Sequence, residues 1–155
     1  PPVYSEAMIA LRTAEEANPV AEFSAPLTSL PAYQGPRFAP LAGKSLGQVG
    51  QGAYPELVTL VTTTAPADAF AAAEAEARAQ GWTIVSADAG AGVIEATAET
   101  FWFGFKDDVV IRVRPAEAGS AIDMRSTSRV GLSDLGANAA RIEAYMTALS
   151  SRLAD

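Results

Sequence analysis

The rhythm of apolar and polar positions changes along this chain, and each change predicts an element. Residues 57–63 are β-branched and read as a strand. Residues 64–81 carry Phe70, Ala73 and Ala77 on one face at helical spacing. Thr64 suits the cap of that helix, Pro66 its first turn and Gly81 the left-handed position after its end. Its inner face is mostly alanine, which lets a helix lie close to a sheet. Residues 82–86 and 93–98 flank Asp88-Ala89-Gly90-Ala91-Gly92 and predict a hairpin. Two further strand-like runs, 109–114 and 120–128, sit on either side of a Pro115-to-Gly119 turn. A last helix is predicted from a Ser133 or Asp134 cap to about Arg152. Leu135, Ala139, Ile142, Tyr145, Met146, Leu149 and Leu153 form its stripe. The order β-α-β-β-β-β-α predicts an α+β domain: an antiparallel sheet of about five strands with helices packed on one face.

Before Tyr54 the pattern is different. Ser5 suits the cap of a helix with Met8 and Leu11, and Ile9 beside them, on its apolar face, stopping at Asn18-Pro19. Residues 19–53 are punctuated by Pro and Gly every few positions and read as a long, mostly irregular arm. The predicted organisation is therefore a helix and arm over 1–53, packed on a domain over 54–155.

Strand parity gives the last hairpin a register. Pairing Pro115 with Ser120 across a loop from Ala116 to Gly119 sets Ile111 opposite Met124 and Val113 opposite Ile122, one coherent apolar face. The other face then carries Glu95, Asp108, Arg112, Arg114, Asp123 and Arg125, with Arg112 opposite Asp123. Such a set reads as a solvated charge network or as an arginine pocket for a carboxylate or phosphate, because guanidinium forks match oxyanions in two-pronged fashion.

Composition narrows the chemistry. At 155 residues and 49% hydrophobic the chain has the length of one domain with its own core. It has no cysteine and no histidine, which excludes disulfides, thiol catalysis, imidazole triads and most zinc catalytic sites. The net charge of −7 disfavours nucleic acid as a partner. Basic residues concentrate late, from Lys106 to Arg152. No run approaches the ~20 apolar residues of a membrane span. The chain opens on Pro1 without methionine, as expected of a trimmed or processed protein.

Three features are candidates for a site. Phe101-Trp102-Phe103-Gly104-Phe105 sets large rings on both faces of its stretch, either covered by the arm or lining a pocket or partner surface. The hairpin arginines are the second. The third is residues 126–138, where Arg129 and a helix N-terminus suit an anion, or where the residues serve only capping and turn chemistry. Asn138 and Arg141 share one side of that helix. The ligand-binding candidates are Trp102, Phe103, Phe105, Lys106, Arg112, Arg125, Arg129, Asn138 and Arg141. Asp107 and Asp108 are adjacent on a strand and point to opposite faces, which argues against a paired-carboxylate or metal site.

Two long motifs carry a resemblance. Trp102-Phe103-Gly104-Phe105-Lys106-Asp107-Asp108-Val109 with Arg112-Val113, and Arg125-Ser126-x-Ser128-Arg129-Val130-Gly131-x-Ser133-Asp134-Leu135-Gly136-x-Asn138-Ala139-x-Arg141-Ile142, resemble the DUF1499 family. Gly81-Trp82-x-Ile84-Val85 and Gly92-x-Ile94-Glu95-Ala96-Thr97 fit it too. The resemblance spans about residues 54–152, and more loosely the opening to Asn18; nothing is carried over to the arm. Many members place this domain after N-terminal membrane helices, which implies a periplasmic or otherwise extracytoplasmic position, as the soluble part of a membrane-anchored bacterial envelope protein. The resemblance supplies no active site and no cofactor. The expected function is non-enzymatic: an envelope-associated module binding an amphiphile or lipid with an anionic head. The alternatives are an accessory domain docking on membrane helices or a neighbouring envelope protein, and a carboxylate-dependent enzyme.

Overall fold

The computed structural model describes the chain except for residues 1, 16, 18–23, 30–33, 56, 101–103, 130–134 and 155. The elements run α1 (Glu6–Ala14), α2 (Leu46–Ala53), β1 (Leu60–Thr62), α3 (Pro66–Ala79), β2 (Thr83–Asp88), β3 (Val93–Glu99), β4 (Lys106–Ala116), β5 (Gly119–Ser128) and α4 (Leu135–Ala154). The fold is α+β, with one five-stranded antiparallel sheet in the order β1-β5-β4-β3-β2. Strands β1 and β2 stand at opposite edges, so α3 crosses the full width of the sheet between them.

The hairpin register is as parity predicts: Ile111 faces Met124, Val113 faces Ile122, Arg112 faces Asp123 and Pro115 faces Ser120. Ala116 also pairs with Gly119, so the connection is the two-residue turn Glu117-Ala118 rather than four residues. The apolar face of the sheet meets α3 and α4. Ile94, Ile111 and Ile122 are fully buried there with Ala69, Ala73, Ala77, Tyr145 and Leu149. Trp82 stacks on Tyr145 with ring centroids 5.1 Å apart. The Tyr145 hydroxyl donates to the Ala73 carbonyl at 2.7 Å, tying α4 to α3 across this apolar interior. Burial pushes the Tyr145 phenol well above its ordinary pKa.

The opposite face of the sheet is not left to solvent at its centre. Helix α1 lies against it, and Met8 of the helix packs with Tyr4, just before its cap, on Val110, with Leu11, Val85 and Val93 around them. Ser5 caps α1 as predicted, its hydroxyl accepting from the Met8 amide. Ile9 points outward and is 40% exposed, because Tyr4, Met8 and Arg12, four residues apart, form the inward stripe instead. The helix ends at Ala14; Asn18 and Pro19 lie outside the described residues.

Three local expectations are corrected. The end of the arm, read as irregular, is helix α2. A capping box forms there: the Ser45 hydroxyl accepts from the Gln48 amide and the Gln48 side chain accepts from the Ser45 amide. This offsets part of the cost of Gly47, Gly50 and Gly52, each ~1 kcal/mol worse than alanine in a helix. The strand at 57–63 shrinks to Leu60–Thr62, since upstream the Leu57 amide closes a turn on the Tyr54 carbonyl. Thr64 does not cap α3; Ala65 takes that position, and the Thr64 hydroxyl bonds the Thr62 hydroxyl at 3.0 Å. Gly81 ends α3 at φ +79° as expected. The predicted Ser133 and Asp134 caps of α4 lie outside the described residues.

Candidate functional site

Adjacent aspartates on a strand must diverge, and here each one fastens a different helix. Asp108 is fully buried under α1. Its Oδ2 accepts from Arg12 Nη1 at 2.6 Å and Arg129 Nε at 2.8 Å, and its Oδ1 from Arg129 Nη2 at 2.7 Å and the Thr97 hydroxyl at 2.9 Å. The Tyr4 hydroxyl donates to the Asp108 carbonyl at 2.6 Å. Arg129 reaches on to Glu15 at 2.6 Å, and Lys106 meets the same carboxylate at 3.1 Å. Glu95, also buried, accepts from the Ser5 amide at 2.7 Å and from the Ser5 hydroxyl. Burial drives the Asp108 carboxyl upward, but the bonds from Arg129, Arg12 and Thr97 outweigh it, so its pKa falls below the ordinary value. Burial pushes the Tyr4 phenol up to about 12.

On the other face Asp107 pairs with Arg141 at 2.6 Å. Arg141 also donates to the Ser126 hydroxyl and to Asn138 Oδ1, both at 3.2 Å. Asn138, 4% exposed, accepts from Ser126 at 2.6 Å and donates to Ser128 at 2.9 Å. This cluster joins the start of α4 to the end of β5.

The third centre lies at the free side of β5. Strand β1 pairs only with Ser120, Ala121 and Ile122. Residues 57–59 are outside that ladder, Thr59 touching β5 through its side chain, and a groove of about 870 Å³ opens between Asp123–Ser126 of β5, the first half of α4 and helix α2. Its walls are mainly apolar: Leu57, Val58, Met124, Ile142 and Met146, with Tyr54. Asp123 lines it and holds two guanidiniums on one oxygen, Arg112 Nη2 at 2.9 Å and Arg114 Nη2 at 2.8 Å, while the Thr59 hydroxyl bonds the other oxygen. Burial raises the Asp123 carboxyl, and Thr59, Arg112 and Arg114 more than reverse this, so it stays ionised and is a weak base. Among the described residues no group of three carboxylates converges as a metal site would require.

Geometry thus divides the predicted residues. Arg129 and Lys106 belong to the Asp108 centre, Asn138 and Arg141 to the Asp107 centre, and Arg112 to the Asp123 pair. Asn138 also lines the groove. Arg125 does too; it is buried, with its guanidinium 5.5 Å from the Tyr4 ring centroid. Phe105 is 53% exposed; Trp102 and Phe103 lie outside the described residues. Sequence reasoning missed Tyr4, Arg12 and Glu15. Their signal was a guanidinium on the stripe of Met8, one turn further on, where only a buried counter-charge on the sheet makes it tolerable.

The DUF1499 profile, described as a protein of unknown function, matches residues 10–149. The chain belongs to the DUF1499 family. No curated protein matches it. In this DUF1499 protein Lys106, Asp107, Asp108, Arg129, Asn138 and Arg141 join α1, the sheet and α4 through side-chain contacts. These polar motif residues are engaged internally, while Arg125, Ser126, Asn138, Ala139 and Ile142 of the same motif line the groove.

Proposed function

We propose that this protein is a non-enzymatic ligand-binding module that takes the apolar body of an amphiphile in the groove beside β5. The observation that carries the reading is the groove itself. At about 870 Å³ it falls in the ~300–1,000 Å³ range of ligand sites, with apolar walls and a few polar groups, Asn138, Ser126, Gln48 and Gln51, to orient a guest. The carboxylates close to it are ion-paired, which favours binding over acid–base chemistry. An extracytoplasmic, envelope-associated setting is part of the proposal and is supported by the family resemblance alone. Among the described residues no helix is long and apolar enough to cross a membrane.

The test is native mass spectrometry of gently purified protein, followed by solvent extraction and titration with dodecanol. A co-purifying amphiphile, and dodecanol shifts confined to the Met124, Ile142 and Met146 methyl signals, are expected. An empty protein whose methyl signals ignore dodecanol would dispose of the reading.

A further inference from the structure

We infer that the guest of the groove ends in a single carboxylate, seated on Arg112 and Arg114 beside Asp123. The inference rests on the groove reading and adds the chemistry of the head group. Asp123 forms part of the groove wall and at the same time holds both guanidiniums on one oxygen, at 2.9 and 2.8 Å. Two cations therefore share one anion. The Nε of Arg112 is shut off from water and has no hydrogen-bond partner among the described residues. Arg114 is 48% exposed and Arg112 32%, so a guest leaving the groove past Asp123 meets N–H groups still in contact with solvent.

The other arginine pairs differ. Arg141 stands one-to-one with Asp107, and Arg12 and Arg129 are 3% and 4% exposed around Asp108. In a chain of net charge −7, the ion pairs among the described residues give Arg112 and Arg114 one carboxylate between them, an excess of one positive charge in direct contact at the groove's edge, with Asp88 two strands away on the same face. A monoanion matches that excess, and a planar carboxylate fits a guanidinium fork. A dianionic phosphate would leave uncompensated negative charge next to Asp123. The head group competes with Asp123 for the same donors.

Calorimetric titration at fixed low salt with dodecanoate, dodecanol and dodecyl phosphate tests this. Wild type should bind dodecanoate about tenfold more tightly than dodecanol, the worth of roughly one charge-assisted hydrogen bond. The double variant Arg112→Gln/Arg114→Gln should lose that difference while dodecanol binding is unchanged. Asp123→Asn, which removes the competing anion, should tighten dodecanoate severalfold; this gain cannot come from misfolding. Dodecanoate no tighter than dodecanol, or indifferent to both changes, overturns the head-group seat and leaves the groove standing. Dodecyl phosphate binding best overturns the single-charge assignment. If neither dodecanoate nor dodecanol binds, the groove reading falls and this inference with it.

Discussion

Replacing Asp108 by asparagine asks whether one buried carboxylate holds the N-terminal helix on the sheet. Asp108 is 0% exposed, and its partners Arg12 and Arg129 are 3% and 4% exposed. The substitution keeps the shape and removes the charge, so two buried guanidiniums lose their shared anion. Breaking a buried pair in this way costs ~3–5 kcal/mol. Arg129 keeps Glu15, so the lower part of that range, about 3–4 kcal/mol, is expected. At ~2–4 °C per kcal/mol for a chain of this size, the midpoint should drop by roughly 6–16 °C. Urea denaturation at pH 7 measures the loss, and amide exchange across Glu6–Ala14 shows where it falls. Exchange should quicken in α1 and hold in α3, whose contacts lie on the other face. The pH dependence has a definite sign. The folded carboxyl titrates below its unfolded value, so its stabilisation is complete above the unfolded pKa of about 3.9 and is lost as pH falls through the folded value. Wild type should therefore shed more stability below about pH 4 than Asp108→Asn does. A loss under about 1 kcal/mol, the level of an exposed ion pair, or unchanged exchange in α1, would refute the clamp.

Other expectations follow from the same geometry. Met8→Ala empties the centre of the small core between α1 and the sheet and should cost ~2–5 kcal/mol by denaturant titration, with the α3–α4 core unaffected. Gly92→Ala places a Cβ against the Val113 carbonyl oxygen at a φ of +68°, and a loss of about 2 kcal/mol or more is expected in thermal melts. Ser45→Ala removes the cap of α2 and should cost ~0.5–2 kcal/mol of local helix stability, read as faster exchange in Leu46–Ala53 and weaker dodecanol binding in the groove that α2 walls. Arg78→Gln breaks an exposed pair with Glu74 one turn away and should change stability by no more than ~0.5 kcal/mol, which makes it the control for Asp108→Asn.

Alternation of side chains along β4 and β5 was enough to determine the hairpin register, the inward position of Ile111 and Ile122, and the divergence of Asp107 from Asp108. A two-residue period allows only one pairing that keeps the apolar set together. The capping box of α2 was also present in Ser45 and Gln48, although Gly and Pro around it made the arm read as irregular. What covers the polar face of the sheet was settled only in three dimensions. Whether Asp108 and Arg129 meet water or a helix depends on Tyr4, Met8 and Arg12, about a hundred residues away, and local patterns carry no information about contacts at that separation. The groove has the same origin. It exists because β1 begins only at Leu60 and α2 stands apart from β5, a matter of how the elements are spaced rather than of what any one of them contains.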